Sequence, residues 1–266
     1  MAVPMSELLA DLRREGDELT AVIRGIPPQA WELPTPAEGW AVRDQISHLA
    51  WFDDAATAAA TDPEGFRATV PGVLGRENAV DEIAATARAL SAAQVLEWFL
   101  AARARSLEVF ERLDPRARLP WYGFDMSAAS FVTARLMETW AHGQDVADAL
   151  GVSRVPTARL RHVALLGARA LPYGFTVRGE EPPADPVRVE LALPDGTPWA
   201  YGPEDAADLV RGPALDFCLL VTQRCALADT ALEVRGETAR RWMSRAQAFA
   251  GPPGGGRPAG LAKALG

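Results

Sequence analysis

A carboxylate and an imidazole stand four residues apart at Glu138 and His142, inside the stretch Leu136-Met137-Glu138-Thr139-Trp140-Ala141-His142-Gly143-Gln144-Asp145. On a helix that spacing puts both side chains on one face, about one turn apart. One helix can then offer two ligands to a single metal ion, and a third must come from elsewhere. The chain contains only three histidines, so the imidazole candidates are His48 and His162. Two imidazoles and one carboxylate leave a coordination position open, as catalytic zinc centres do, whereas structural sites are closed by four protein ligands. Nickel, iron(II) and manganese accept the same donors.

The elements that carry these residues can be read from periodicity. His48 falls in a helix expected from Ala41 or Val42 to Ala60. Gln45, Leu49, Phe52, Ala55, Ala56 and Ala59 lie on its side of the wheel, while Arg43, Asp53 and Asp54 point away. His48 therefore projects toward a core, where a lone histidine is more often a satisfied core residue than a ligand. Ser127 is placed to cap the helix that carries Glu138 and His142, and Gly151 to end it. On that helix Arg135, Glu138, His142 and Asp145 form one stripe, and Val132, Leu136, Gly143, Val146 and Leu150 form another. Phe131, Ala134, Ala141 and Ala149 flank the polar stripe. Polar groups inside a helix that is apolar nearly all round need partners, and charged ones need a counter-charge or a metal. From spacing alone the pair reads equally well as a metal face or as a solvated ion pair.

Two further helices complete an antiparallel four-helix bundle over residues 1–151. One runs from Ser6 to Arg24 and the other, capped by Ser91, from Ala92 to Leu113. Residues 63–76 read as a loop with some local structure, closed by Pro71, Gly72 and Gly75, and a short helix is expected over 78–90. The aromatic segment Leu119-Pro120-Trp121-Tyr122-Gly123-Phe124-Asp125-Met126 is expected to act as a lid over a pocket or as a plug at the bundle end. After Gly151 the pattern changes. A helix from Thr157 to Leu171 carries His162, which has no carboxylate or histidine at ligand spacing and is read as structural. Val187-Arg188-Val189-Glu190-Leu191-Ala192-Leu193 alternates as a half-buried strand, and Asp195-Gly196 turns it into a return strand at 198–201. Further short strands near Val210 and over 231–236, with helices over 213–224 and 237–248, make residues 152–250 a small α+β domain. The Gly/Pro-rich tail, residues 251–266, is expected to be mobile. The fold class is therefore α+β: a helical bundle followed by a small α+β domain.

The chain has 266 residues, 48% of them hydrophobic, and a net charge of −8. An acidic chain without a basic patch is a poor nucleic-acid binder. No run approaches the roughly 18 apolar residues of a membrane span. The first residues, with Glu7 and Asp11, lack a signal-peptide core, so a cytoplasmic protein acting on a small molecule is expected, with no membrane partner; the sequence sets no oligomeric state. Cys218 and Cys225 are seven residues apart, about 10 Å along a helix, which exceeds the roughly 7 Å Cα separation a disulfide tolerates. They are expected to be buried free thiols.

The segment Gly39-Trp40-Ala41-Val42-Arg43-Asp44-Gln45-Ile46-Ser47-His48-Leu49 resembles the second-helix signature of the DinB/YfiT-like superfamily, in particular its mycothiol-dependent maleylpyruvate isomerase branch. The segment Met137-Glu138-Thr139-Trp140-Ala141-His142-Gly143-Gln144-Asp145-Val146 resembles the second motif of that branch. The C-terminal part is similar to the small sterol-carrier-like domain that often follows the bundle. The resemblance implies a bundle holding one divalent metal, usually zinc, on His48, Glu138 and His142. It also implies a mycothiol-type cofactor, whose thiolate either adds reversibly to an electron-poor alkene, giving an isomerase, or stays on the product, giving an S-transferase. The family's thiol-binding residues have no clear counterpart here. Two other readings remain: a thiol-independent metalloenzyme, such as a hydrolase or biosynthetic cyclase, and a non-catalytic metal-stabilised binding protein. Around the triad, Asp44 and Asp145 lie within a turn of His48 and His142, and either can orient an imidazole or sit at the surface. Arg135 lies one turn before Glu138, placed to meet an anionic substrate or to pair with Glu138.

Overall fold

The computed structural model describes residues 3–76 and 78–260. The chain divides into two compact units, Met1–Val152 and Ser153–Gly266.

Four long helices build the first unit: α1 (Met5–Arg24), α2 (Val42–Thr61), α5 (Ala92–Glu111) and α6 (Ala128–Leu150), with the shorter α3 (Pro63–Leu74) and α4 (Ala79–Thr86) between α2 and α5. Helix α2 packs on α5 and α6, and α1 packs on α6 and α5. Leu19, Ile23, Trp31, Val42, Ile46, Leu49, Val95, Phe99 and Val146 share the core between them. The termini of α6 follow from local chemistry. Ser127 Oγ accepts from the Ser130 amide at 3.1 Å, and Gly151 closes the helix in the left-handed conformation at φ 64°, which glycine adopts without a Cβ penalty. Helix α2 starts where the Asp44 carboxylate accepts from the Ala41 amide at 2.8 Å, half of a capping box.

The loop expected over 63–76 is instead the helix α3. Asp62 caps it by accepting from the Gly65 amide at 3.0 Å, and Pro63 occupies its first turn, where a missing N–H costs nothing. Pro71, which argued against a helix, sits close enough to the C-terminal end to be accommodated. The helix expected over 78–90 is α4 followed by a 3-10 turn at Ala87–Ala89. Helix α1 begins at Met5 after Pro4, with no side-chain cap from Ser6. The aromatic segment forms a hairpin between β1 (Arg118–Pro120) and β2 (Asp125–Ser127), paired antiparallel.

In the second unit, α7 (Leu160–Arg169) and α8 (Leu171–Thr176) precede a four-stranded sheet of β3 (Val187–Ala192), β4 (Pro198–Tyr201), β5 (Asp208–Pro213) and β6 (Glu233–Arg235). The strand order is β4-β3-β5-β6. The β3–β4 pair is the expected hairpin, β5 runs parallel to β3, and β6 pairs antiparallel with β5. Val187, Val189 and Leu191 are buried on one face, while Arg188 and Glu190 alternate onto the other. Helices α9 (Ala214–Val221) and α10 (Glu237–Met243) complete the unit. Residues 251–260 contain no helix or strand. Hydrogen bonds tie them down, among them Arg178 Nη2 to the Gly254 carbonyl at 3.1 Å and the Gly260 amide to Asp229 at 2.8 Å; residues 261–266 lie outside the described residues. Among the described residues, no helix is long and apolar enough to cross a membrane.

Candidate metal centre

Helices α2 and α6 bring His48, Glu138 and His142 together, with one potential ligand atom from each lying within 4.8 Å of the others. Among the described residues no other such group of three His, Cys, Asp or Glu forms. Glu138 Oε2 lies 3.0 Å from His142 Nε2 and 3.8 Å from His48 Nε2. Two ligands on a tetrahedral zinc with bonds of about 2.0–2.1 Å are roughly 3.3 Å apart, so these two spacings bracket what a shared ion requires. His162 is buried in α7 and is not part of the group.

Protonation favours the donor set. Burial, followed by the neighbouring His142, pushes the His48 imidazole down to about 3, against the pull of Glu138. The ring is therefore neutral near pH 7 and keeps a lone pair. Burial alone would raise the Glu138 carboxyl, but hydrogen bonds from His142 and His48 outweigh it and hold the carboxyl well below its usual range. A neutral His48 ring and an ionised Glu138 are the protonation states that metal ligation requires of those two residues.

The hydrogen bonds behind His142 supply an independent test of fit. Its Nδ1 bonds Gln45 Oε1, and an amide oxygen only accepts. Nδ1 therefore carries a proton, and Nε2 faces a carboxylate oxygen 3.0 Å away. A proton on Nε2 or a metal ion beside both atoms satisfies that pair, and with Nδ1 engaged by Gln45 it is Nε2 that is left to bind a metal. His48 adds a second neutral donor, with its Nδ1 buried and unpartnered. The residues present fit a divalent metal.

The residues flanking the triad differ in part from expectation. Asp44 does not orient His48, because its carboxylate holds the Ala41 amide and the Arg88 guanidinium at 3.0 and 3.1 Å. The contact to His142 Nδ1 comes from Gln45 on α2 rather than from Asp145, which is buried and has a partner of its own. Nor does Arg135 pair with Glu138. Its Nε donates to Asp53 Oδ1 at 2.9 Å and its Nη2 to the Leu49 carbonyl at 3.2 Å. Asp53, expected to point away from the core, is fully buried and also accepts from Arg103 Nε at 2.6 Å. Gln45 had a signal in the sequence: a lone amide on the apolar side of α2 needs a buried partner. Asp53 had none, because its partners lie 50 and 82 residues away.

Aromatic rings enclose the centre. Trp40 lies 5.3 Å from His48 and stacks at 6.0 Å and 19° on His142, its indole N–H held by Asp81 at 2.7 Å. Phe52 lies 4.5 Å from His48. Trp121 and Tyr122 at the hairpin tip contact Phe52 at 5.9 and 6.1 Å, and Trp121 packs on Phe66 and Phe131. The hairpin tip thus stands one ring removed from His48 and extends the aromatic wall beside it.

Two uncharacterized proteins, from two strains of Mycobacterium tuberculosis, are each 48% identical to this chain over 250 residues, covering 94% of it and 97% of the relative. The crystal structures of the mycothiol-dependent maleylpyruvate isomerase and of its histidine-to-alanine mutant share the fold. Each has a TM-score of 0.57 at 16% identity, over 84% of this chain and 90% of the other. The sequence model described as the mycothiol maleylpyruvate isomerase N-terminal domain matches residues 12–147, the bundle that carries all three donors. The chain belongs to the family defined by the mycothiol maleylpyruvate isomerase N-terminal domain.

Proposed function

We propose that this protein is a metal-dependent enzyme that uses a mycothiol-type thiol and acts as an isomerase or S-transferase on an electrophilic small molecule. The observation that carries this reading is the convergence of Glu138 Oε2 with His142 Nε2 at 3.0 Å and His48 Nε2 at 3.8 Å, in a chain of this family. His48, Glu138 and His142 would hold the ion, zinc by donor type, with nickel, iron(II) or manganese as substitutes. When bound, a divalent ion with an open position lowers the pKa of a thiol at that position.

The chain's own residues supply the surroundings. Trp40, Phe52 and the hairpin tip exclude water, which strengthens every charge interaction at the centre. Arg135 and Arg103 share the single carboxylate of Asp53, so with Glu138 ionised the charges around His48, whose protonation Arg135 disfavours, balance before any ion is bound. A bound divalent ion would add the positive charge that suits an anionic substrate, and Arg135 is assigned the role of supporting that charge. Asp145, buried on the same helix, contributes charge to the environment of α6 rather than a contact to the reacting atoms. Residues 152–250 are read as the sterol-carrier-like domain of the family, followed by the tail. The acidic chain, with its charge of −8, is read as a cytoplasmic enzyme without a nucleic-acid partner.

The test is a thiol-dependence assay. Zn2+-loaded protein is given mycothiol with maleylpyruvate and with a panel of other electrophiles, alongside reactions without thiol and with Glu138→Gln. Turnover that requires both thiol and metal and is lost in Glu138→Gln is expected. Turnover unchanged without any thiol favours the thiol-independent metalloenzyme and refutes the thiol role. Full metal occupancy without turnover of any compound refutes catalysis of this kind.

A further inference from the structure

We infer that Gln45 and Thr35 are positioning residues for the metal, which they serve by fixing which nitrogen of His142 carries its proton. The inference rests on the proposed metal centre. Its logic runs through proton directions. Thr35 Oγ1 has one proton, and it donates to backbone carbonyls: Trp40 at 2.9 Å, with Ala37 at 3.5 Å. Toward Gln45, 2.8 Å away, the hydroxyl can therefore only accept, which turns the amide Nε2 of Gln45 to Thr35. The Gln45 Oε1 is left facing His142. Each link fixes the next, and the chain ends with a proton held on Nδ1 of His142, which leaves Nε2, the nitrogen facing Glu138, as the one that can bind a metal.

The relay is buried and anchored at its far end. Gln45 is 0% exposed and Thr35 9%, so water does not readily substitute for either group. The Thr35 amide donates to the Trp40 carbonyl at 2.8 Å, and the Val42 amide to the Leu33 carbonyl at 3.1 Å. These bonds close the segment 33–42 into a tight loop with an isolated bridge between Pro34 and Ala41. The carbonyl that ends the relay belongs to Trp40, whose ring lies over His142. The loop before α2 thus sets both the proton position and the stacking of a ligand on α6. A histidine ligand whose second nitrogen donates to a fixed acceptor is oriented and made more basic.

The test measures Zn2+ affinity by chelator competition and the absorption spectrum of the Co2+ form. It compares the wild-type chain with Gln45→Leu, Gln45→Glu, Thr35→Val, Thr35→Ser and His142→Ala. Gln45→Leu is expected to weaken Zn2+ binding about 10–100-fold and to alter the Co2+ bands. Gln45→Glu retains an acceptor for Nδ1–H and is expected to keep the affinity. Thr35→Val, which leaves the Gln45 amide free to rotate, is expected to weaken binding while Thr35→Ser restores it. A merely structural role would not separate these conservative pairs. Wild-type binding that disappears in His142→Ala, but is unchanged in both Gln45→Leu and Thr35→Val with identical Co2+ spectra, overturns the relay alone. A wild-type chain that binds neither ion overturns the metal centre and the relay with it.

Discussion

Arg135 and Asp53 meet at 2.9 Å in the middle of the bundle, and Asp53 is completely buried. The same carboxylate holds Arg103 at 2.6 Å, and Arg103 reaches on to Thr139 Oγ1 at 2.8 Å. One negative charge therefore stabilises two buried cations drawn from α5 and α6. Removing it strands both guanidinium groups. Asp53→Ala is expected to cost about 3–5 kcal/mol of unfolding free energy, as the breaking of buried pairs does. Urea denaturation measures it, and a loss below about 1 kcal/mol would show that the arginines find other partners or water.

The candidate ligand triad predicts a metal-linked stability. An ion that binds only the folded chain stabilises it by about 2.7 kcal/mol at a hundredfold excess over its Kd. Chelator-treated protein is expected to melt at a lower temperature than Zn2+-loaded protein, and the difference should vanish in His48→Ala. A melting temperature in the wild-type chain that is indifferent to Zn2+ would be the contrary result.

Local signals made the bundle legible. Ser127 and Gly151 bracket α6 as capping rules require, and the period-two alternation of 187–193 foretold β3. The triad was legible because the chain offers so few histidines. The surroundings of the triad were not. Asp53 looks like a solvated residue on the helical wheel, and only α5 and α6 folding against α2 make it a counter-charge. Asp44 and Asp145 are near the histidines in sequence, yet the contact to His142 comes from Gln45, 97 residues away. Sequence proximity finds ligands on one helix; their supporting atoms arrive from packing. The helix α3 was obscured because Pro71 and three glycines, Gly65, Gly72 and Gly75, outweighed the start signal of Asp62-Pro63.

The hairpin tip should affect the pocket without touching the donors. Trp121 packs on Phe52, Phe66 and Phe131 but contacts none of the triad. Trp121→Ala is expected to destabilise by less than the roughly 3–5 kcal/mol of a fully buried tryptophan, because Trp121 is only half-buried. Zn2+ affinity should stay unchanged while KM rises more than kcat falls, the pattern of lost uniform binding. A weakened Zn2+ affinity would instead tie the hairpin to the metal.

The chain's own thiols are poorly suited to the chemistry proposed for the site. Cys218 and Cys225 are both free and buried. Burial pushes the Cys225 thiol up to about 12, with Asp216 and Asp229 adding to the shift, and raises Cys218 well above its ordinary value. The thiolate is the nucleophile, so the raised values disfavour both residues as nucleophiles near neutral pH, and the proposed reaction is expected to take its thiol from a small molecule. Iodoacetamide at pH 8 is expected to label the native chain slowly and the unfolded chain quickly at both positions. The same shifts fix the alkaline limb of stability. Between the ordinary cysteine value of 9.0 and about 12 the folded state binds more protons than the unfolded one, so stability falls as pH rises through that window. Tyr122, raised by burial as well, adds a loss of the same sign. Rapid labelling of the native chain, or thiol-dependent turnover that persists without added thiol and is abolished by Cys225→Ser, would move the nucleophile inside the protein.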